Sequence, residues 1–295
     1  MEDNAMGFNE GQLKRTGFAE AFTPELKAQM ENGVPVIQHN FKKEYDGDKV
    51  DATLHLKKSS TSDYYFLNKF DLELQKPGHA EPVKQTFYLT RKSAPGDDSG
   101  EAKPKLENKF TLKEGYNLLA GRPVYKDLVT NEGQEYQAWV KLNFKNVLNN
   151  GNYEMKQYHT NYGFELEKVL ANYPIKELTN EQYKNSLIDS LHRGNLQKAT
   201  FVDREGREEK LYVSPNIVLG ALNVYDSNKQ VMPTGLLIEK DLIGKELGEQ
   251  LRERFAQQQK TEQSQKQEPE QTQKAGQKLK NDKPVQKQTR TQKIK

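Results

Sequence analysis

The 295-residue chain has no cysteine. That excludes disulfides, thiolate nucleophiles and thiolate metal sites together, and it suits a reducing compartment such as the cytoplasm. No apolar run approaches the ~20 residues that a membrane span needs. The N-terminal MEDNAMGFNEGQLKR lacks the apolar core of a signal peptide. The expectation is therefore a cytoplasmic protein with no membrane segment. Hydrophobic residues make up only 34% of the chain, and mean hydropathy is −0.99. A core has to come from modest layers, not from one thick interior.

Chemistry-bearing motifs are scarce as well. The sequence holds no GxxxxGK[ST] loop, no GxGxxG after a strand and no GxSxG elbow. The five histidines, His39, His55, His79, His159 and His192, form neither HxH nor HExxH, so a metal site would have to assemble from distant strands. The reading is a non-enzyme with no catalytic residue, no metal and no cofactor. The alternative is a metal-dependent hydrolase or nuclease with a site assembled between units from His55, His159 and nearby carboxylates.

Charge is unevenly placed. Residues 256–295 carry ten Lys/Arg and four Asp/Glu, and the remaining 255 residues hold 35 basic and 38 acidic side chains. The body is close to neutral, and the basic character belongs to the tail.

What the chain does have is punctuation. FTLKEGYNLLAGRPVYKDLVTNEGQEYQAWVKLNF (110–144) reads as helix, glycine stop, strand, glycine turn, strand. Thr111 and Glu114 fit a capping box, Gly121 fits a left-handed stop, Pro123 forbids further helix, and an Asn131-Glu132-Gly133 turn follows. The pattern occurs twice more. Thr23 opens a helix that stops at Gly33, with a turn at Asp46-Gly47; Thr179 opens one that stops at Gly194, with a turn at Glu205-Gly206. From capping Thr to stop Gly the distances are 10, 10 and 15 residues, and from stop Gly to turn Gly 14, 12 and 12. Each matched residue has its own stereochemical task. The fold class is α+β, built from three diverged helix-plus-antiparallel-strand units with a disordered C-terminal tail.

The organisation follows from that repeat. Residues 1–10 are expected to be disordered, with a short helix around Gln12 to Phe22. The first α+β unit is 11–92, with four strands in a meander. A Pro-, Gly- and charge-rich linker spans 93–108 and marks a domain boundary. The second unit is 109–178 and includes a helix in FELEKVLANYP; the third is 179–238. A C-terminal helix takes 239–258, and a basic Gln/Lys-rich tail, 259–295, cannot bury enough apolar area to order itself.

Two families of surface residue are candidates for a partner. Basic pairs lie at strand edges with aromatics beside them: Lys42 and Lys43, Lys57 and Lys58 with Tyr64 and Tyr65, and Arg91 and Lys92. Lysines can meet phosphates while bases stack on tyrosines, but edge lysines also simply prevent sheet-to-sheet association. Trp139, the only tryptophan, is either a core anchor or an exposed contact.

The 112–144 stretch resembles a short repeated domain of unknown function found in Bacteroidetes conjugative-transposon proteins, copies of which also occur in proteins linked with type IA topoisomerases on such elements. The resemblance rests on Leu118, Leu119, Gly121, Arg122, Val124, Gly133, Tyr136, Ala138 and Trp139. GFAEAF (17–22), DATLHLKKSSTSDYYFLNKFDLEL (51–74), QTFYLTRK (85–92) and NYPIKEL (172–178) also look like this group, so it covers roughly 12–240. It implies an accessory protein of a mobile genetic element, associated with DNA-related work, and adds Arg122 to the candidate partner-binding residues. It brings no catalytic residues. The partner is a nucleic acid or a protein; the sequence leaves the oligomeric state open.

Overall fold

The computed structural model describes residues 2–89, 110–130 and 133–267. Among them the chain runs α1 (Glu2–Arg15), α2 (Pro24–Glu31), β1 (Val36–Tyr45), β2 (Asp48–Lys58), β3 (Tyr65–Gln75) and β4 (Val83–Tyr88). Then come α3 (Leu112–Leu119), β5 (Val124–Val129), β6 (Glu135–Val147), β7 (Tyr153–His159) and α4 (Leu166–Leu170). It continues through α5 (Glu181–His192), β8 (Gln197–Val202), β9 (Glu208–Asn216), β10 (Ala221–Tyr225), α6 (Thr234–Glu239) and α7 (Lys245–Gln267). The fold is α+β with three antiparallel sheets, ordered β1-β2-β3-β4, β5-β6-β7 and β10-β9-β8.

The helix-to-strand corners match. Gly33, Gly121 and Gly194 take φ of +67°, +87° and +76°. The next residue donates its N–H to the carbonyl five positions back: Val34 to Gln29, Arg122 to Asn117, Asn195 to Ser190. This six-to-one bond closes a Schellman stop. It recurs after α1, where Phe18 bonds back to Leu13 past Gly17, and after α6, where Leu242 bonds back to Leu237 past Asp241. The starts match less closely. Thr23 caps α2, and Thr111 and Glu114 form the reciprocal capping box of α3. On α5 the cap is Asn180, which accepts from the Tyr183 N–H at 3.1 Å; the Thr179 hydroxyl turns back to the Lys176 carbonyl.

The hairpins come in two kinds. Asp46 and Gly47, at φ +56° and +90°, make a two-residue turn between the paired Tyr45 and Asp48, the left-handed pair that matches strand twist. In the second and third sheets the closing bonds run from the Thr130 N–H to Gln134 and from the Asp203 N–H to Arg207, with Gly133 and Gly206 left-handed. Residues 131 and 132 of the second turn lie outside the described residues.

One apolar core runs through the first two units, from Leu13 and Phe18 through Phe70 and Phe87 to Val140 and Leu142. α3 packs on β3 and β4 on one side and on β5 and β6 on the other. Gly115, inside that helix, makes the approach possible: a Cβ there would sit 3.1 Å from both Leu72 Cδ2 and Phe87 Cε2. The third sheet has its own buried set, including Phe201, Leu211, Val213 and Val224, with α4 against β10 and α5 against β8.

Several expectations change. Residues 1–10 belong almost entirely to α1, which ends at Arg15, short of Phe22, because Gly17 takes φ +86°. α1 is polar, so no apolar stripe announces it. It is held instead by Asn9, which accepts from the Tyr65 N–H, and by Gln12, which bonds the Tyr65 carbonyl and the Leu67 N–H. The 93–108 linker lies outside the described residues, as do Arg91 and Lys92; a single core is continuous on its two sides. FELEKVLANYP yields only the five-residue α4. The helix expected at 239–258 is two: α6 ends at Glu239, Asp241 turns left-handed at φ +56°, and α7 begins at Lys245 and runs to Gln267. Its Gln, Lys and Glu are good helix formers. Of the expected 259–295 tail, residues 268–295 lie outside the described residues.

Candidate functional site

Most of the basic pairs are already engaged. Lys42 pairs with Asp51 at 3.4 Å, Lys43 with Glu20, and Lys58 with Asp63 at 2.9 Å; Lys57 stands on the outer face of β2, opposite Val36 and Phe66. Tyr64 packs edge-on against Phe8. Tyr65 is not a stacking surface. It is wholly buried, and its hydroxyl donates to the Val34 carbonyl at 2.8 Å, joining β3 to the strand entry after α2.

Trp139 is buried too. Strict alternation wins on β6: Ala138, Val140 and Leu142 face the common core, and Trp139 shares the opposite face with Gln137 and Lys141. There it meets Tyr125 at 5.2 Å, His192 at 5.4 Å and Phe164 at 5.5 Å. It anchors α5 against the second sheet. Burial holds the His192 imidazole below its ordinary pKa, which suits a ring stacked 4.8 Å from Tyr125.

His55 and His159 are not brought together. His55 Nε2 lies 2.6 Å from Asp71 on the outer face of the first sheet, and His159 stacks 5.2 Å from Tyr136 in the second. Among the described residues no group of three or more His, Asp or Glu is placed to hold a metal ion.

The convergent polar groups lie elsewhere, where all three units meet. Arg122 follows the α3 stop, and its aliphatic and guanidinium groups reach across to the α5 stop. Its Nε donates to the Gly194 carbonyl at 2.9 Å, and Nη2 to Asn117 Oδ1 at 2.7 Å. Asn117, fully buried, uses its Nδ2 on the Arg193 carbonyl at 2.7 Å and on Asn195 Oδ1 at 3.0 Å. Gly194 fits so closely that a Cβ would lie 2.7 Å from the Pro123 carbonyl oxygen. Arg122, expected at a partner surface, thus clamps the third unit to the second.

The exposed flank of this clamp is a cleft of about 440 Å³. Asp46 and Asp48 enter from the β1–β2 turn, Lys76 and His79 from the β3–β4 turn, Tyr116 and Arg122 from α3 and its stop, and Lys229 from the loop after β10. The Tyr116 ring carries Arg122 at 5.0 Å on a face, and its hydroxyl donates to Asp48 at 3.0 Å. Lys113 rests on the neighbouring aromatic pair, 4.0 Å from the Tyr45 ring and 4.6 Å from the Tyr116 ring. Lys229 pairs with Asp46 at 3.3 Å.

The electrostatics distinguish these cations from the surface lysines. Among the described residues Lys76, Lys113 and Arg122 have no carboxylate at ion-pair distance, whereas Lys42, Lys84, Lys126, Lys184 and Lys240 all do. Burial lowers the pKa of Lys76, with Asp48 acting against the shift and Arg122 adding to it. Burial and then Arg122 lower that of Lys113. Burial, reinforced by Asp48 and opposed by Arg122, pushes the Tyr116 phenol up to about 12. A larger hollow of about 620 Å³ lies below α4, but it is lined mainly by Leu170, Tyr173, Ile175 and Val202. Its cations are satisfied, Lys184 by Glu167 and Lys176 by Glu208. The smaller cleft is therefore the better candidate: perturbed groups converging on a concavity mark functional sites more often than apolar volume alone.

Sequence reasoning singled out Arg122 and missed its neighbours. Lys76 sits in an ordinary Lys-Pro-Gly turn, and nothing local connects it with Lys229, 153 positions on. Among the described residues, no helix is long and apolar enough to cross a membrane. Compared with known proteins, the chain matches no family model, no curated protein and no solved structure.

Proposed function

We propose that this is a non-enzymatic recognition protein whose repeated α+β units bind a protein partner. The resemblance noted in the sequence supports an accessory role on a mobile genetic element, and the lack of cysteine supports the cytoplasm as the place of action. The observation that carries the choice of a protein over a nucleic acid is the pairing of its candidate phosphate-binding lysines. Lys42, Lys43 and Lys58 already meet carboxylates, and two of the aromatics that would stack on bases, Tyr65 and Trp139, are inside. A mixed-charge surface recognises another mixed-charge surface better than a continuous phosphate backbone. Exposed Phe144, Val147 and Leu148, adjacent at the β6–β7 turn, add the apolar component that protein contacts use.

The test separates body from tail. Labelled single- and double-stranded DNA is titrated with the full chain and with a chain lacking 268–295. The expected result is weak binding by the full chain, falling steeply with salt, and none by the shortened one. In parallel, the full chain purified from cells carrying its element should bring down one stoichiometric protein that persists in moderate salt. Salt-tolerant DNA binding by the shortened chain would replace the reading with a nucleic-acid one.

A further inference from the structure

The three-unit cleft contains an imbalance that folding alone does not require. Stability would favour a carboxylate opposite each half-buried cation, as Glu114 stands opposite Lys126. Instead, Lys76 and Arg122 line one cleft, and Lys113 shares the Tyr116 ring with Arg122. Lys76 makes one hydrogen bond among those described, a long one of 3.5 Å to the Ala120 carbonyl. Lys113 has only ring faces to rest on. The two nearby carboxylates are used: Asp48 accepts from Tyr116, and Asp46 pairs with Lys229. The cleft is large enough for a small molecule or one side chain, and Lys76, Arg122 and Lys229 all line it.

We infer that the cleft is a binding site for a small oxyanion, a phosphate or carboxylate group held by Lys76 with Arg122 behind it, both of which line the cleft. The position of Arg122 is fixed by the Gly194 carbonyl and Asn117, so its charge is already oriented when the ligand arrives. Lys76 is partly desolvated beforehand, which makes an incoming anion worth more than it would be at an open surface. Its lowered pKa agrees with this: burial lowers it, and Asp48 only partly offsets the effect. Because the walls come from all three units, an anion here would also tie the β1–β2 and β3–β4 turns to the loop after β10. The inference does not depend on which macromolecule the sheets recognise.

The experiment uses the full chain. Calorimetric titrations at constant ionic strength are run with inorganic phosphate, with succinate and with a short glutamate-rich peptide. Lysine ammonium groups are followed in the same samples by reductive ¹³C-methylation and NMR. Saturable binding by at least one ligand is expected, with the Lys76 signal moving to higher pKa. Lys76→Gln should weaken that binding about tenfold or more, the loss of one hydrogen bond between charged groups. Lys84→Gln, which removes a surface lysine paired with Glu73 outside the cleft, should leave it unchanged. Lys76 contributes little to the fold, so its variant should melt at the wild-type temperature without ligand. Preference for phosphate or succinate points to a free metabolite, and preference for the peptide to an acidic segment of a partner. No saturable binding by any of the three, or equal binding by Lys76→Gln, overturns the proposal.

Discussion

At the residue scale, Asn117 ties the second unit to the third, and Tyr116 ties it to the first. Asn117 is fully buried with its amide nitrogen and oxygen both bonded. Asn117→Ala would leave the Arg193 carbonyl and an Arg122 N–H without partners. The expected cost is about 2–4 kcal/mol, read as a lower denaturation midpoint in urea. Tyr116 gives a pH signature. Its phenol stays neutral in the folded chain to about pH 12, while in the unfolded chain it ionises near its ordinary value, about 10. A raised acid pKa means stability that is complete below about pH 10 and lost as pH rises towards 12. Burial also raises other tyrosines, Tyr65 and Tyr173 among them, so absorbance at 295 nm should show one fewer late-titrating tyrosine in Tyr116→Phe than in the wild type, and the variant should lose less stability across that window. Neither role is legible in the sequence. Asn117 looks like any polar helix residue, because its amide nitrogen's partners, Arg193 and Asn195, lie more than 70 positions away.

At the element scale, the glycine stops are equivalent in backbone but not in surroundings. Gly194 and Gly206 have nearly the same φ, +76° and +79°. A Cβ at Gly206 meets nothing within 4 Å, whereas one at Gly194 meets Pro123, Val124 and Asn117 at 2.7–3.1 Å. Gly206→Ala should therefore cost only the left-handed strain, about 1–2 kcal/mol. Gly194→Ala should cost distinctly more, by overpacking. Equal losses in thermal unfolding would mean that the corner is not a docking surface. The stops and turns were legible because their causes are local: a left-handed residue, a cap, a proline. The α1 helix was not, because its anchors are the side-chain amides of Asn9 and Gln12 on strand β3, and amphipathic periodicity does not register such contacts.

At the scale of the whole molecule, the repeat suggests three modules, but the packing joins them. α3 fills the space between the first and second sheets, and Leu72, Phe87 and Leu118 belong to one core. A fragment of residues 1–92 would therefore expose the face of β3 and β4 that α3 covers. It should bind a hydrophobic dye and unfold without a sharp transition, while a fragment that includes the second unit should not. A cooperative, dye-silent 1–92 fragment would show that the first unit is autonomous after all.

The sequence by itself determined the α+β class and the positions where helices stop and hairpins turn, since these depend on the conformational freedom of single residues and on hydrogen bonds between near neighbours. Only the tertiary structure decided which face of β6 holds Trp139, that Arg122 clamps a distant glycine corner, and that unpaired cations from separate turns share one cleft. Those outcomes depend on approaches between residues far apart in the chain, where steric fit and desolvation, not local propensity, set the energy.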